Sequence, residues 1–315
     1  MTANIPVPAA RENHFSKKVV KDFKRNKSKY LIALPVILFF LVFNYKPMYG
    51  VIIAFKNYRP SMSIWEAPWI GFKNFETFFK DPYFGRLLRN TFLISLYNIL
   101  WGFPAPIILA LLLNEIRSGF YRRVVQTISY MPHFISIVVM CGIIRNFCMS
   151  DGTINDIIVF FGGERSSLLG MQSMFRTIYV ASDIWQSVGW GSIIYLAVIA
   201  GIDQEQYEAA HIDGAGRFCQ VINITIPAII PTIMILLILR MGNILNIGYE
   251  KILLLYQPNT YEVADVISTY VYRKGIMEGS WSYSTAVGLF NSAVNIVFLL
   301  ATNRLSKNYS DVSLF

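Results

Sequence analysis

Between Glu205 and Pro231 the chain reads EQYEAAHIDGAGRFCQVINITIPAIIP. These residues suit contact and the transmission of force rather than bond making. Glu205 to Asp213 has the makings of a short polar helix, with carboxylates for a charged contact. Ala209 and Ala210 are small enough to let another surface approach closely. Gly214 falls where a helix would close on a left-handed residue. A second helical piece begins at Ala215 and runs into an apolar stretch whose first turns contain Pro227, where a bend is tolerated if freed carbonyls find partners. The expectation is an acidic, small-faced helix–turn–helix joined stiffly to an apolar helix.

A second set of residues could recognise a solute. Polar and aromatic side chains interrupt otherwise apolar runs: Tyr97, Asn98 and Trp101; Trp185, Gln186 and Trp190; Asn243 and Asn246. Aromatic faces with amide hydrogen bonds suit sugars, although helix packing and interhelical hydrogen bonding use the same residue types. Arg240 stands in an apolar stretch, where a charge is costly and faces a cavity or a partner. Catalytic constellations are missing. Cys141, Cys148 and Cys219 have no metal spacing, and His14, His133 and His211 are scattered. There is no H-E-x-x-H and no Gly-Lys pair, which excludes a phosphate-binding G-x-x-x-x-G-K-[ST] loop. The chain is therefore not expected to be an enzyme or to bind a metal or cofactor.

The elements that must hold these residues are membrane helices. The 315 residues are 54% hydrophobic and only 15% charged, against about a quarter charged in soluble domains. Six stretches are long enough to span at roughly 20 residues each. They run from about Tyr30 to Phe55, Leu87 to Leu113, Val124 to Phe147, Thr177 to Ile202, Val221 to Ile244 and Ser284 to Asn303. Pro35 and Pro47 are expected to bend the first, with Lys46 snorkelling at its outer end. The fold class is thus all-α and integral to a membrane, with one domain over residues 30–303, a loop over 203–227 between spans four and five, and tails 1–29 and 304–315.

Charge orients the spans. The net charge is +9, and eight basic residues (Arg11, Lys17, Lys18, Lys21, Lys24, Arg25, Lys27, Lys29) oppose only Glu12 and Asp22 before residue 31. Such a tail reads as a cytoplasmic topology signal and a contact for anionic lipid, not for nucleic acid. Phe15, Val19, Val20 and Phe23 repeat at helical spacing there, which fits a short helix lying on the membrane surface, the alternative being a disordered basic tail. Arg117, Arg122 and Arg123 after the second span, and Arg304 and Lys307 after the sixth, also belong inside. Both termini are then cytoplasmic. Loop 203–220, with Asp203, Glu205, Glu208 and Asp213 against Arg217, is cytoplasmic by counting, and its acidity asks for a protein partner. The outer stretches near 56–86, 148–176 and 245–283 carry Trp65, Trp69 and Trp281 for an aromatic belt, and the last has apolar segments short enough for a re-entrant or interfacial helix.

The loop resembles the EAA motif of permease subunits of binding-protein-dependent ABC importers. The family pattern is Glu-Ala-Ala, three residues, Gly, nine residues, Ile, one residue, Leu-Pro. Here it is met by Glu208-Ala209-Ala210, Gly214, Ile224 and Ile226-Pro227, with Ile226 replacing Leu. The run from Tyr207 to Ala215, YEAAHIDGA, is similar to the carbohydrate-importing branch. So are LALLLNE before Arg117, Pro132, DGTIN at 151–155, Trp185, Trp190 and TYVY at 269–272.

The resemblance implies a transport subunit in a prokaryotic plasma membrane, moving a sugar inward. Its partners would be cytoplasmic ATPase subunits that hold the ATP and magnesium, a second and different permease, and an extracytoplasmic solute-binding protein. The loop would be the coupling helix. Glu208 would make a charged contact with the ATPase, Tyr207 and Phe218 would be apolar anchors, and Gly214 would permit the turn. Ala209, Ala210, Asp213 and Pro227 complete the set. The competing class, an ion-gradient transporter, should place carboxylates inside spans and show internal repeats. Asp183 is the nearest case, and no clear repeat relates the halves.

Overall fold

The computed structural model describes residue 22 and residues 25–310, so the tail expectations for Arg11 to Lys21, the surface-helix positions Phe15 to Phe23, and residues 311–315 lie outside it. Among the described residues the regular elements are helices. They divide into two units, Met1–Ile52 and Ile53–Phe315. The first unit contributes most of α1, Lys27–Phe55, which is apolar enough to cross a membrane.

The second unit carries the rest. It begins with a short helix α2, Lys73–Phe79, and the long α3, Phe84–Glu115. Next come α4, Gly119–Tyr130, α5, Ile137–Cys148, and α6, Thr153–Phe160. Helix α7, Gln172–Ala200, is followed at a bend of 71° by α8, Gln204–Ile212. Helix α9, Arg217–Met241, leads to three short outer helices: α10, Tyr249–Leu255, α11, Tyr261–Ala264, and α12, Ile267–Tyr272. Helix α13, Trp281–Ser310, closes the described chain and continues seven residues past the expected end of the sixth span. Five or six of these helices, depending on whether α7 with α8 counts as one span, are long and apolar enough to cross a membrane.

Proline explains much of the local geometry. A proline removes one backbone donor and crowds the carbonyl of the preceding turn. Wide π turns lie just ahead of Pro47, Pro104 and Pro227, at Leu41–Tyr45, Asn98–Gly102 and Val221–Thr225. Each lets the helix pass its proline without a break. Pro35 sits inside regular α-helix.

The expected third span differs. Residues 119–130 and 137–148 are separate helices, parted by a 3₁₀ turn over Met131–Phe134 that contains Pro132. Ser136 then restarts the chain as a cap, its hydroxyl accepting from the Val139 amide. The apolar helical stretch runs instead over Ile137–Phe160. Gly189 of α7 fits against this broken segment: a Cβ there would lie 2.1 Å from the Ser129 carbonyl oxygen. Such small-residue contacts bring helix backbones together where lipid supplies no hydrophobic drive.

Segment 245–283, expected to hold a re-entrant or interfacial helix, is packed into the core. Ile252, Leu255, Ile267 and Tyr270 are buried. It is tied to α3 through Asn90, whose amide donates to the carbonyls of Glu262 and Asp265 at 2.9 and 3.0 Å. Asp265 in turn receives Arg273 at 2.7 Å and Arg86 at 3.5 Å. DGTIN also has a structural part: buried Asn155 donates to the carbonyls of Met149 and Ser166 and accepts from the Ser166 amide.

Candidate coupling loop and membrane cavity

Helix α8 starts at Asp203, whose carboxylate accepts from the Glu205 amide at 3.0 Å. It ends on Gly214, which has φ +79°. The Ala215 amide donates back to the Ala210 carbonyl at 2.8 Å and the Gly214 amide to the His211 carbonyl at 3.1 Å. That pair of bonds is the Schellman closure, which satisfies carbonyls left over at a helix end. Gly216 then caps α9 with an ordinary φ of −69°.

Two contacts tie this loop to the membrane helices. The Tyr207 hydroxyl and Thr225 Oγ1 lie 2.9 Å apart, and Thr225 is buried. Arg217 reaches Glu115 at the end of α3 at 3.5 Å. Below them Ala110, Tyr195, Ile199 and Ile229 join α3, α7 and α9 in one core. Helix α8 is thereby joined to α9, and the start of α9 to α3. Of the two residues expected as apolar anchors, Tyr207 is half-buried with its hydroxyl toward α9, and Phe218 is 79% exposed; Ile212, which the sequence reading did not single out, is 85% exposed. The signal for Ile212 was available: it is an apolar residue in the last turn of a polar helix. Glu208, Ala209 and Asp213 are exposed and Ala210 half-buried, so the acidic, small face is open to a partner.

Replacing Tyr207 with Phe should remove one hydrogen bond and leave the buried Thr225 hydroxyl without that partner, a cost of about 1 kcal/mol. The expected result is normal insertion with faster amide exchange in residues 204–212, read by hydrogen-exchange mass spectrometry. Unchanged exchange would mean that the Tyr207–Thr225 contact does not hold α8.

The solute candidates are divided among separate places. Asn98, Arg240, Asn243 and Asn246 line one cavity of about 190 Å³, together with Tyr179 and Asp183. Tyr97 and Trp101 line another, of about 580 Å³, beside Arg176. Trp185 borders a third, apolar one. Gln186 donates weakly to the Ile135 carbonyl, and Trp190 stacks on His133 at 4.5 Å, so these two brace the broken third span. The asparagines of the first cavity are cross-linked: Asn246 donates to Asn243 and accepts from Asn291 and Asn295 of α13. Ser95, next to them, donates to the Ile244 carbonyl.

Lys251 of α10 was missed. It is 3% exposed, donates to Asp183 at 3.3 Å and to the Tyr179 carbonyl at 3.3 Å, and lies over the Tyr179 ring. A single lysine among KILLL carries a signal, but nothing in sequence names a partner 68 residues away.

A family model described as the binding-protein-dependent transport system inner membrane component matches residues 102–311. Protein LplB of Bacillus subtilis (strain 168) is 48% identical over 93% of this chain and 92% of its own length. The polygalacturonan/rhamnogalacturonan transport system permease protein YteP of the same organism is 42% identical, over 100% of this chain and 99% of its own. A bacterial alginate ABC transporter, solved in complex with an alginate pentasaccharide-bound periplasmic protein, contains a chain 44% identical with a TM-score of 0.86, covering 94% of this chain and 100% of that one. The matched region contains α8, α9 and most of the residues around the first cavity.

Proposed function

We propose that this chain, which belongs to the family of binding-protein-dependent transport system inner membrane components, forms one membrane half of an ATP-driven importer of oligosaccharides. Membership makes it a membrane-embedded permease of the sugar and oligosaccharide ABC transporter group, a transport subunit rather than an enzyme. The relatives' cargoes support a polymer-derived oligosaccharide as cargo. They also support an extracytoplasmic binding protein as the donor of that cargo. Bacterial relatives support a plasma-membrane location with both termini and loop 203–227 inside, and the basic tail against anionic lipid.

The observation that carries the reading is the loop: an acidic α8 with Ile212 exposed at its end, closed by Gly214 and pinned to α9 through Tyr207, followed by exposed Phe218 and by Arg217, which ties the start of α9 to α3. This is the shape of a surface that docks on a cytoplasmic ATPase and relays its motion. In this mechanism, ATP binding closes two ATPase subunits and carries the loops of two permeases with them. The pair then passes from inward-facing to outward-facing. The push works only if the closed ATPases bind one conformation more tightly than the other. In this family the pathway lies between two permease halves, and a second permease, different from this one, completes it in this reading. An ion-coupled mechanism would want a free carboxylate within the spans, whereas Asp183 is held by Lys251.

The test is purification of the tagged chain in mild detergent with identification of what accompanies it. Recovery of a P-loop ATPase and a second permease, with the ATPase lost from a Glu208→Lys variant, is the expected result. A chain recovered alone, moving solute on an ion gradient without ATP, would overturn the reading.

A further inference from the structure

Arg240 lacks the partners that several other cations have. Arg86 and Arg273 are paired with Asp265, Arg89 with Glu262, and Lys251 with Asp183. Arg176 is held by the Asn90 side chain and the Val263 carbonyl. Among the described residues, no carboxylate lies within salt-bridge reach of Arg240. It stands in ILLILRM, where an ionised group persists only if it faces a wet cavity or a partner. It lines the cavity of about 190 Å³, which would hold roughly six waters at their liquid volume, about the size of one sugar ring.

The rest of the lining fits a saccharide that carries negative charge. Asn98 is only 8% exposed and its Oδ1 has no hydrogen-bond partner. That oxygen is buried and lies toward Gly102, where a Cβ would be 3.3 Å from it, so it packs within the helix rather than facing a solute. The π turn Asn98–Gly102 places this side chain, and such turns gather at functional sites. Asn243 and Asn246 add amide edges. A guanidinium has five donors and no acceptor, in a fork that matches a carboxylate in two parallel bonds. Neutral hydroxyls would leave its charge without a counter-ion. Asp183 also borders the cavity, and Lys251 neutralises it and holds it toward α10. The local balance is therefore one net positive charge, on Arg240.

We propose that this cavity is the subsite for an anionic sugar unit, with the Arg240 guanidinium on the carboxylate of a uronic acid and the Asn243 and Asn246 amides beside it. The inference rests on the oligosaccharide-importer reading and adds the charge of the cargo and the residue that reads it. Arg240 acts as a specificity residue, and Lys251 as the group that keeps Asp183 from occupying or repelling what Arg240 binds.

The experiment uses the complete importer in proteoliposomes with ATP on the ATPase side. Uptake of trigalacturonate is compared with uptake of the same trisaccharide reduced at its carboxyls. Wild type should favour the acidic probe. Losing charge-assisted hydrogen bonds in Arg240→Gln should lower the acid-to-neutral ratio about ten- to hundred-fold, with Arg240→Lys in between. Asn98→Asp, which sets a negative charge in the wall of the same cavity, should lower the ratio as well while altering side-chain volume little. An unchanged ratio in all three variants would overturn the subsite and leave the importer standing. Wild type carrying only the reduced probe would overturn the anionic cargo alone. Loss of both probes together with loss of the second permease in Arg240→Gln would make Arg240 an interface residue and overturn the proposal. ATP hydrolysis with uptake of neither probe by wild type would count against the oligosaccharide reading itself.

Discussion

Replacing Gly214 with Val should lower ATP-coupled uptake about 5- to 150-fold while leaving the chain inserted in the membrane. An added Cβ at Gly214 meets nothing within 4 Å, so crowding is not the cause. The cause is the backbone: φ is +79°, a region that β-branched residues rarely adopt and that costs them on the order of 1–3 kcal/mol. The cheapest relief is to give up the Schellman bonds from Ala215 to Ala210 and from Gly214 to His211. Helix α8 then swings relative to α9, and a surface that must meet an ATPase is misplaced. A differential of that size is about 5- to 150-fold in coupling.

Two comparisons make the result specific. Gly216 lies two residues on, equally open, with φ −69°. Gly216→Val should therefore keep most uptake. Gly214→Asn should keep more than Gly214→Val, because Asn tolerates the left-handed region. The measurement is substrate uptake and ATPase co-purification for all three. Equal loss at positions 214 and 216 would mean that the loop needs small residues for docking rather than a left-handed closure.

The loop was legible because local rules govern it. A polar helix and a glycine at the C′ position each act within a few residues, and the structure places them as the spacing suggests. Apart from the third, the apolar helical stretches were legible from apolar length. What escaped reading depends on contacts or backbone alternatives without a local signature. A proline announces a disturbance, but not whether it is absorbed by a π turn, as before Pro104 and Pro227, or ends a helix, as at Pro132. The broken third span follows from Pro132 acting with the Ser136 cap and with Gly189, which is 57 positions on from Pro132 and clears the room. The contact of Tyr207 with α9 depends on Thr225 lying opposite, which is a tertiary fact. Segment 245–283 looked re-entrant or interfacial by composition. It is packed into the core because Asn90, Arg86 and Arg273 supply polar partners for its backbone and for Asp265.

Lys251→Met should be among the most damaging single substitutions outside the coupling loop, and its cause can be separated from lost volume. Lys251 is 3% exposed and Asp183 is 31% exposed, so the lysine is the deeper partner and the carboxylate keeps a view of the cavity. Removing one partner of a buried pair costs up to about 3–5 kcal/mol, because the survivor is left charged without compensation. The partial exposure of Asp183 places the expected loss below that range. Met keeps the apolar stem against Ile252 and Tyr179, so packing changes little. If the uncompensated carboxylate is the cause, the double variant Lys251→Met with Asp183→Asn should recover most of the lost thermal stability in detergent, since replacing both charges of a buried pair is often neutral. Function should separate the two readings further. With Lys251 gone, the freed Asp183 faces the same cavity as Arg240, competes for it, and lowers uptake of an acidic saccharide. The double variant removes that competitor, so uptake should return along with stability. Recovery of stability without uptake would give Lys251 a direct part in the pathway. Recovery of neither would make its contacts with the Tyr179 carbonyl and ring, rather than with Asp183, the ones that matter.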